Sequence, residues 1–500
     1  MNLFLSLFDI ATYILFVFAL SYYLATTLQW YNYSFLRILT KHHKSIWHIY
    51  YFVVPLVIYA GLSMFYHGML FYGYFYLMYL PLLFLWYKSL DKKLVWTQRI
   101  KRLFAFISLF TILSVCLCVF VFHTHIYALV PLYALVPLIL GFLCANVCES
   151  LLFRIYAKKA HNKLQQLQNL KIIAITGSYG KTSIKNFIAQ ILQQQFSVYA
   201  TPRSVNTYKG LVADINQNIN ATHEIYIAEA GARQVGDIRE IAELLQHHYA
   251  VIGKIGHAHI EYFKNIETTT KTKFELLYST RLTHAFVQKD NSYANVLPPQ
   301  FEANMKKIVA YPPKLKDIES TLEKTSFSLE LDSIFVPFTC KILGRFNIDN
   351  IAVAIMIAKT LGMDINALQK AVAKLTPIPH RLQRIDTAQK VIIDDSFNGN
   401  LEGMSEAIRL ASLHHGRKII VTPGLVEHDE ASNIELAQKI DKVFDIAIIT
   451  GDLNAKILDI HIKTPQKIIL KDKTKLEEIL AESGKQNDLV LFANDAPNYI

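Results

Sequence analysis

A glycine-rich turn carrying Lys181 and Thr182 has the clearest chemical meaning in this sequence of 500 residues. In the stretch AITGSYGKTS, Gly177 and Gly180 allow backbone N–H groups to turn inward around phosphate oxygens. Lys181 can neutralise β- and γ-phosphate charge, and Thr182 can ligate Mg²⁺ at the start of the following helix. Ile175 stands where the full eight-residue pattern has a glycine. The placement between an apolar strand and a helix therefore carries the prediction of a nucleotide-binding loop, and a glycine turn with a solvent-facing lysine is the alternative.

Groups suited to metal binding follow two other predicted strands. Glu229 ends the buried stretch HEIYIAEA, and ligands of open α/β sheets bind at the carboxyl ends of the strands. Its carboxylate can share Mg²⁺ with Thr182, and a salt-bridged or capping glutamate is the alternative. His257 and His259 lie just past the stretch YAVIGKIG, and position alone leaves either of them open as a ligand.

Two further sets of polar residues lie on predicted helices. Lys271 and Glu275 are spaced to form an i, i+4 pair, and Lys273 between them points to roughly the opposite face. Lys273 can therefore face a site while the pair faces water, and a solvated lysine is the alternative. Asn347 and Asn350 stand at i and i+3 of another helix start, where their amides can read an adenine edge or Asn347 can cap the helix.

The elements that must position these residues alternate between strand and helix, which is typical of parallel sheets with helices on both faces. The predicted strands of a first sheet are Ile172–Thr176, HEIYIAEA, YAVIGKIG and HAFVQ, and the stretch TSFSLELDSIFVPFTCKIL is predicted to close that domain as an antiparallel hairpin. A second set of strands comprises KVIIDDS, KIIVTPG, FDIAIIT and DLVLFAN. We therefore predict two α/β domains, a P-loop ATPase-like central domain over residues 166–375 and a Rossmann-like C-terminal domain over residues 376–500.

The first 160 residues are predicted to form an α-helical transmembrane region of about five helices, because each apolar stretch can span ~30 Å of hydrocarbon. The stretches are Leu3–Leu28, Ile46–Tyr66, Met69–Tyr87, Leu103–Phe122 and Tyr127–Phe153. Loops that contain Lys or Arg alternate with loops that contain neither. This alternation predicts a multi-pass protein of the cytoplasmic (inner) membrane with its N-terminus outside and residues 156–500 in the cytoplasm. A re-entrant hairpin made of two of the stretches is the alternative.

Composition excludes two other classes of protein. Residues 1–155 hold ten Lys or Arg and three acids. The remaining residues hold 41 of the 51 Lys and Arg in the chain and 37 of its 40 acids. The basic excess lies between apolar stretches, so it indicates membrane topology and not a nucleic-acid-binding face. The placement of the five cysteines argues against a secreted disulfide framework. Cys144 and Cys148 share a helix face, which is more typical of helix packing than of a metal or redox pair.

Several stretches beyond residue 170, in their order along the chain, resemble the Mur ligases, the ATP-dependent amide-forming enzymes of peptidoglycan precursor synthesis. These stretches are TGSYGKTS, EAGAR, IGHAHIEYF, KTKFE, LGRFNIDN, PHRLQ and DDSFNGN. Phe346 stands where the family usually has His, so it can stack on a base without hydrogen-bonding to it. The stretches SVNTYKG, DDSFNGN and LFANDAPNY look most like the branch of the family that adds D-alanyl-D-alanine.

The resemblance implies a role for each matching residue. The implied catalytic residues are Lys181, Lys273, His259 and Arg381. The implied nucleotide-binding residues are Gly177, Ser178, Gly180, Lys181, Thr182, Ser183, Asn347, Asn350, Arg381 and Asp395. The implied metal ligands are Thr182, Glu229, His259 and Lys273, the last as a carbamate formed with CO₂. The implied substrate-binding residues are Asn206, Thr207, Ser396, Asn398 and Asn400.

The reaction that the resemblance implies uses ATP and two Mg²⁺ ions. A carboxylate of UDP-MurNAc-tripeptide is phosphorylated to an acyl phosphate, which the amine of D-Ala-D-Ala then attacks. Arg381 and Asp395 come from the C-terminal side, so they act when the two domains close. The expected partners are the two substrates, the lipid bilayer and other membrane-bound cell-wall enzymes, and no nucleic acid.

One departure from this branch concerns the UDP end of the substrate. The predicted phosphate loop begins about twenty residues after the last apolar stretch, which leaves no room for the soluble domain that usually holds UDP. Either the central domain holds UDP alone, or the substrate is presented differently.

The alternatives to a ligase that adds D-alanyl-D-alanine are a poly-γ-glutamate synthase, a lipid II amidating ligase and a nucleotide-binding membrane scaffold. The amidating relative usually carries a four-cysteine zinc ribbon, for which only Cys340 is available.

Overall fold

The computed structural model describes residues 2–41, 46–64, 68–117, 131–202, 205–256, 263, 265–291, 302–397, 399–426 and 428–494. The chain divides into two compact units, Met1–Ile155 and Tyr156–Ile500. The strands found in the described residues all belong to the second unit.

The first unit is helical throughout its described elements. Its α-helices are α1 (Asn2–Trp30), α2 (Phe35–Lys41), α3 (Ile46–His48), α4 (Val54–Met64), α5 (Gly68–Tyr74), α6 (Leu80–Lys88), α7 (Gln98–Cys116) and the start of α8 (Pro131–Gln166), with π-helical turns at Ile49–Val53 and Phe75–Tyr79. Aromatic side chains fill the interior, where Phe16, Tyr23 and Trp86 are buried. Met69 and Leu77 lie on the outside and are 83% and 79% exposed.

Three helices of the described residues are long and apolar enough to cross a membrane. They are Leu7–Trp30, Met69–Lys88 and Ala134–Gln166, and Ile46–Leu62 is a shorter apolar helix. Helices therefore lie on all five predicted stretches, although α7 covers only the start of Leu103–Phe122, whose end is outside the described residues. The helical character of this region is confirmed, and the number of membrane spans stays a prediction.

The second unit opens with a parallel sheet. Its strands are β1 (Lys171–Thr176), β2 (Val198–Ala200), β3 (Ile225–Glu229), β4 (Tyr249–Ile252), β5 (His284–Gln288) and β6 (Ile308–Tyr311), in the order β2-β3-β1-β4-β5-β6. The accompanying helices are α9 (Lys181–Leu192), α10 (Tyr208–Asn218), α11 (Asp237–Leu245), α12 (Ile266–Phe274), α13 (Glu302–Met305), α14 (Phe346–Thr360) and α15 (Ile365–Ala373). Residues 172–175 are fully buried because helices cover both faces. The consecutive strands β3 and β4 pair with opposite edges of β1, so the order of the strands reverses direction there. Ligands of open α/β sheets bind in the crevice at such a point, and we therefore expect a ligand site where β1 ends.

A small antiparallel sheet follows the first one. It contains β7 (Leu315–Ser320), β8 (Thr325–Leu331) and β9 (Ile334–Cys340). Phe327 and Phe338 face each other across β8 and β9 and are buried against the core of the first sheet. The predicted hairpin is confirmed, and β7 adds a third strand to it.

A second, mostly parallel sheet completes the unit. Its strands are β10 (Gln383–Asp386), β11 (Lys390–Asp395), β12 (Lys418–Thr422), β13 (Ile446–Thr450), β14 (Gln466–Leu470) and β15 (Asp488–Ala493), in the order β10-β11-β15-β12-β13-β14. Its helices are α16 (Leu401–Ser412), α17 (Glu430–Val443), α18 (Ala455–His461) and α19 (Leu476–Ser483). Only β10 runs antiparallel, at the edge of the sheet. The predicted α/β class is therefore confirmed for both sheets.

Candidate active site

A cavity of about 590 Å³ lies between the end of β1 and the end of β11. It brings together most of the residues that were predicted to bind nucleotide, namely Ser178, Gly180, Lys181, Thr182, Ser183, Asn347, Asn350, Arg381 and Asp395. Glu229, Asn206 and Asn400 also line it. The predicted residues thus converge, although they come from widely separated regions of the sequence.

The turn between β1 and α9 is held open by its glycines. Gly177 and Gly180 have φ values of +154° and +76°, which L side chains rarely adopt. A Cβ added to Gly180 would lie 2.9 Å from Oδ1 of Asn350. Asn350 lies on α14, which packs along α9. Glycine at position 180 is therefore required by the backbone conformation, and a Cβ there would also displace the side-chain amide of Asn350.

Lys181 is aimed back into this turn. Its Nζ donates to the carbonyl oxygens of Gly177 at 2.9 Å and Ser178 at 3.2 Å. Burial lowers the pKa of Lys181, the negative charge of Glu229 raises it, and the positive charge of Arg381 lowers it further. Because the ammonium lies inside the loop, a phosphate held by the loop N–H groups would meet it directly.

Thr182 and Glu229 form a pair of oxygen donors beside the loop. The Thr182 hydroxyl donates to Oε2 of Glu229 at 3.1 Å. Two oxygen ligands at right angles on one Mg²⁺ ion would lie ~3 Å apart, so this pair fits one such ion. Lys185, which was not predicted, is also buried here, with Nζ 3.4 Å from the same carboxylate oxygen and 2.8 Å from the carbonyl oxygen of Thr201. Glu229 is therefore both a candidate ligand and salt-bridged.

Asn347 and Asn350 occupy one side of the cavity at the start of α14. Asn347 does not cap the helix, because its Nδ2 donates to the carbonyl oxygen of Leu343 at 2.8 Å. Its Oδ1 accepts from Nδ2 of Asn350 at 3.1 Å. Phe346 and Tyr311 also line this end of the cavity. Amides beside aromatic rings are suited to recognising the edge and face of a base.

The end of β11 supplies the opposite wall. Oδ1 of Asp395 accepts from the backbone N–H of Leu382 at 2.9 Å, so this predicted nucleotide-binding residue also makes a structural hydrogen bond. The Ser396 hydroxyl bonds to buried Asp394 and does not line the cavity. Oδ1 of Asn400 accepts from the N–H of Gly403 at 2.8 Å and caps α16. Asp395 and Asn400 therefore line the cavity, whereas Ser396 does not.

A second cavity of about 650 Å³ shares Lys181 and Asn206 with the first. The other lining residues are Thr207, Tyr208, Lys209, Gly231, Ala232, Arg233, Asp237, Glu240 and Lys273. Its cations Lys181, Lys209 and Arg233 outnumber its two acids, Asp237 and Glu240, so it is suited to an anionic ligand. The two cavities meet at Lys181, where the terminal phosphate of a bound nucleotide would lie.

Lys273 is buried at this second cavity, as predicted, and 3% of it is exposed. Burial lowers the pKa of Lys273 to about 7, and the positive charge of Lys181 contributes. The expected pair of Lys271 with Glu275 is wrong. Lys271 instead bonds to Glu267 at 2.7 Å. The Glu275 carboxylate accepts from the N–H of Gly236 at 2.9 Å, because it caps the start of α11.

The predicted residues His259 and Asn398 lie outside the described residues, as does His257, the alternative ligand. Thr207 lines the second cavity, and its hydroxyl accepts from the N–H of Gly210 at the start of α10. Among the described residues, no three or more His, Cys, Asp or Glu side chains are grouped so that they could hold a metal ion.

Sequence reasoning missed an ion pair that joins the two walls of the first cavity. Lys254 follows β4, and its carbonyl oxygen accepts from the N–H groups of Ser178 and Tyr179 in the phosphate loop. Its side chain pairs with Glu402 on α16. Only the position of Lys254 near the end of the predicted strand YAVIGKIG could have indicated it, and its partner is 148 residues away.

The central part of the chain matches a known protein family. The Mur ligase middle domain matches residues 175–358. The UDP-N-acetylmuramoyl-tripeptide–D-alanyl-D-alanine ligase of Buchnera aphidicola subsp. Baizongia pistaciae is 26% identical over 57% of this chain and 65% of its own length. The ligase of the same name from Bacillus subtilis is 26% identical over 66% of this chain and 74% of its own length. The match to the Escherichia coli ligase, at 25% identity, spans 64% of that protein. The chain thus spans less than two thirds of the length of some of these relatives.

Solved structures share the fold. MurF from Acinetobacter baumannii superposes with a TM-score of 0.60 at 20% identity, over 69% of this chain and 77% of the other. MurF ligase from Thermotoga maritima in complex with ADP gives a TM-score of 0.59 at 24% identity, over 69% and 80%. At these identities the likeness establishes the fold. Taken with the matching middle domain and the ligases above, it means that this chain is similar to the Mur ligases, and among them to the MurF ligases.

Proposed function

We propose that this chain is an ATP-dependent, ADP-forming ligase that adds D-alanyl-D-alanine to UDP-MurNAc-tripeptide in peptidoglycan precursor synthesis. The observation that carries the proposal is the meeting of two cavities at Lys181. One has groups for a nucleotide, and the other has cations for an acid. A carboxylate in the second cavity would lie beside the terminal phosphate of a nucleotide in the first, which is the arrangement that phosphorylation requires.

The first chemical step forms an acyl phosphate. A substrate carboxylate oxygen attacks the γ-phosphorus, and the bond to the β–γ bridging oxygen breaks and releases ADP. Lys181 and Arg381 neutralise the charge that spreads over the transferring group. Thr182 and Glu229 would hold one Mg²⁺, which supplies further charge neutralisation when bound.

The second step forms the amide bond. The amine of D-Ala-D-Ala attacks the acyl carbon, phosphate leaves and the amine loses a proton. Direct condensation is slow because the carboxylate oxygen is a poor leaving group, so the first step makes the second possible. Phe346 and Asn347 on one side and Arg381 and Asp395 on the other flank the cavity in which the reacting groups would meet.

The proposal is tested with the full chain purified in detergent with Mg²⁺ and bicarbonate. We expect ADP release that depends on both UDP-MurNAc-tripeptide and D-Ala-D-Ala, with the pentapeptide product identified by mass spectrometry. Turnover driven by glutamate in place of these substrates would identify a poly-γ-glutamate synthase. Nucleotide binding without any ligation would identify a non-catalytic scaffold, and either outcome contradicts the proposal.

We further propose that the first unit crosses the cytoplasmic membrane and keeps the ligase near the membrane enzymes that consume its product. The exposed apolar side chains of Met69 and Leu77, beside an aromatic interior, favour contact with lipid over water. The alternating charge of the loops favours a cytoplasmic second unit. We expect the chain to resist alkaline extraction from membranes, and protease to reach residues 156–500 only from the cytoplasmic side. Release by alkali, or cleavage from the outer side, would contradict this.

A further inference from the structure

Arg381 stands between two residues with an unusual backbone. His380 and Leu382 have φ values of +64° and +53°. Non-glycine residues rarely adopt this left-handed region, and they keep it only where surrounding contacts hold them there. The segment of residues 380–382 is therefore shaped by its neighbours and not by its own preference.

The neighbours that hold this segment are two consecutive aspartates at the end of β11. Oδ2 of Asp394 lies 2.7 Å from Nδ1 of His380. Oδ1 of Asp395 accepts from the N–H of Leu382 at 2.9 Å. Both aspartates are buried, at 0% and 1% exposure. One carboxylate therefore holds each flank of Arg381.

Further contacts fix Asp394 and His380 in these positions. The other carboxylate oxygen of Asp394 accepts from the N–H of Ser396 at 3.1 Å and from its hydroxyl. The carbonyl oxygen of His380 accepts from the N–H of Phe397 at 3.2 Å, and the rings of His380 and Phe397 meet edge to face with centroids 4.9 Å apart. Since a carboxylate only accepts, Nδ1 of His380 carries the proton that is shared with Asp394.

We propose that His380 and Asp394 are positioning residues that hold Arg381 toward the terminal phosphate of the bound nucleotide. Arg381 lines the nucleotide cavity together with Lys181, and His380 does not. The role rests on the proposed phosphoryl transfer. A shift of Arg381 by about 1 Å is expected to slow that step by about 10²-fold.

The test compares two replacements of His380 in the full chain. The amide nitrogen of asparagine can take the place of Nδ1, and asparagine tolerates a positive φ. Glutamine places its amide one bond farther out and lacks this tolerance. We expect His380→Gln to lower kcat by about 10- to 100-fold while the Kd for ADP changes by less than about threefold. His380→Asn is expected to restore most of the loss.

A binding measurement separates this proposal from the proposed function. Arg381 would contact only the terminal phosphate. We therefore expect His380→Gln and Asp394→Asn to weaken the binding of a non-hydrolysable ATP analogue about tenfold more than the binding of ADP. His461→Gln, at the end of α18, is the control and is expected to leave this ratio unchanged. A wild-type chain that forms no amide bond would end the proposed function but not this prediction. The positioning role would be overturned if folded His380→Gln and Asp394→Asn kept the wild-type ratio of the Kd for the ATP analogue to the Kd for ADP. It would also be overturned if His380→Asn lost as much kcat as His380→Gln.

Discussion

Lys181→Met is expected to reduce acyl-phosphate formation by about 10³-fold or more, because it removes the half-buried cation where the two cavities meet. Nζ of Lys181 now lies within 3.2 Å of two loop carbonyl oxygens. A bound phosphate would replace these weaker partners with a charge-assisted bond. The measurement is ADP release with both substrates present, at saturating ATP, so that a loss of kcat is distinguished from weaker nucleotide binding.

Two further variants make the Lys181 prediction specific. Lys181→Arg keeps the charge but brings a planar fork into a site shaped for a point charge, so we expect it to lose about 10²-fold as well. Lys171→Met changes an exposed lysine at the other end of β1 and is expected to leave turnover within about twofold. Wild-type turnover of folded Lys181→Met would remove this lysine from the mechanism.

The parallel strands were predictable because continuous apolar stretches report burial on both faces of a sheet. Residues 172–175 and 225–228 are of this kind and are fully or almost fully buried. The strands β2, β6, β7, β10 and β14 were not predicted, since most of their residues are partly or fully exposed. Their residues pair through the backbone at the edges of sheets, where side-chain periodicity carries little information.

The candidate site was predictable where a residue's position relative to a strand end fixes its location. Gly180, Thr182 and Glu229 follow that rule, because the carboxyl ends of parallel strands meet at one edge. Side-chain pairing did not follow from spacing. Glu275 had two partners available, and the unsatisfied N–H groups at the start of α11 proved stronger than Lys271 four residues away.

Contacts between distant parts of the chain could not be predicted from one sequence. The pair of Lys254 with Glu402 depends on how α16 faces the first sheet. The bond of Asp394 to His380, although it joins residues only 14 apart, depends on how the segment before β10 folds back on β11. The left-handed conformation of Leu382 is likewise imposed from outside, by Asp395. A leucine in such a conformation gives no local signal, because its own preference is for φ below zero.

Activity is expected to depend on dissolved CO₂ through Lys273. Carbamate formation requires a neutral amine, and an ordinary lysine is neutral in roughly one molecule in a few thousand at pH 7. Burial lowers the pKa of Lys273 to about 7, so about half of the molecules would have a neutral amine at that pH. The neutral fraction rises as the pH increases through 7 and falls to about a tenth at pH 6. At constant dissolved CO₂, we therefore expect turnover to fall as the pH drops from 8 to 6.

The carbamate prediction is checked by removing CO₂ and by changing the lysine. CO₂-free buffer is expected to lower turnover and bicarbonate to restore it, with isotopically labelled bicarbonate giving a carbamate signal in NMR. Lys273→Met is expected to lose about 10²-fold or more, because an uncharged side chain can neither carry the carbamate nor balance the cations around Lys181. Lys271→Met, two residues away on the same helix but exposed beside Glu267, is the matched control and should keep wild-type turnover and the same response to CO₂. If wild-type turnover did not depend on CO₂ between pH 6 and 8, the carbamate prediction would be wrong and Lys273 would act as an amine. The cations around Lys181 would then need another source of negative charge.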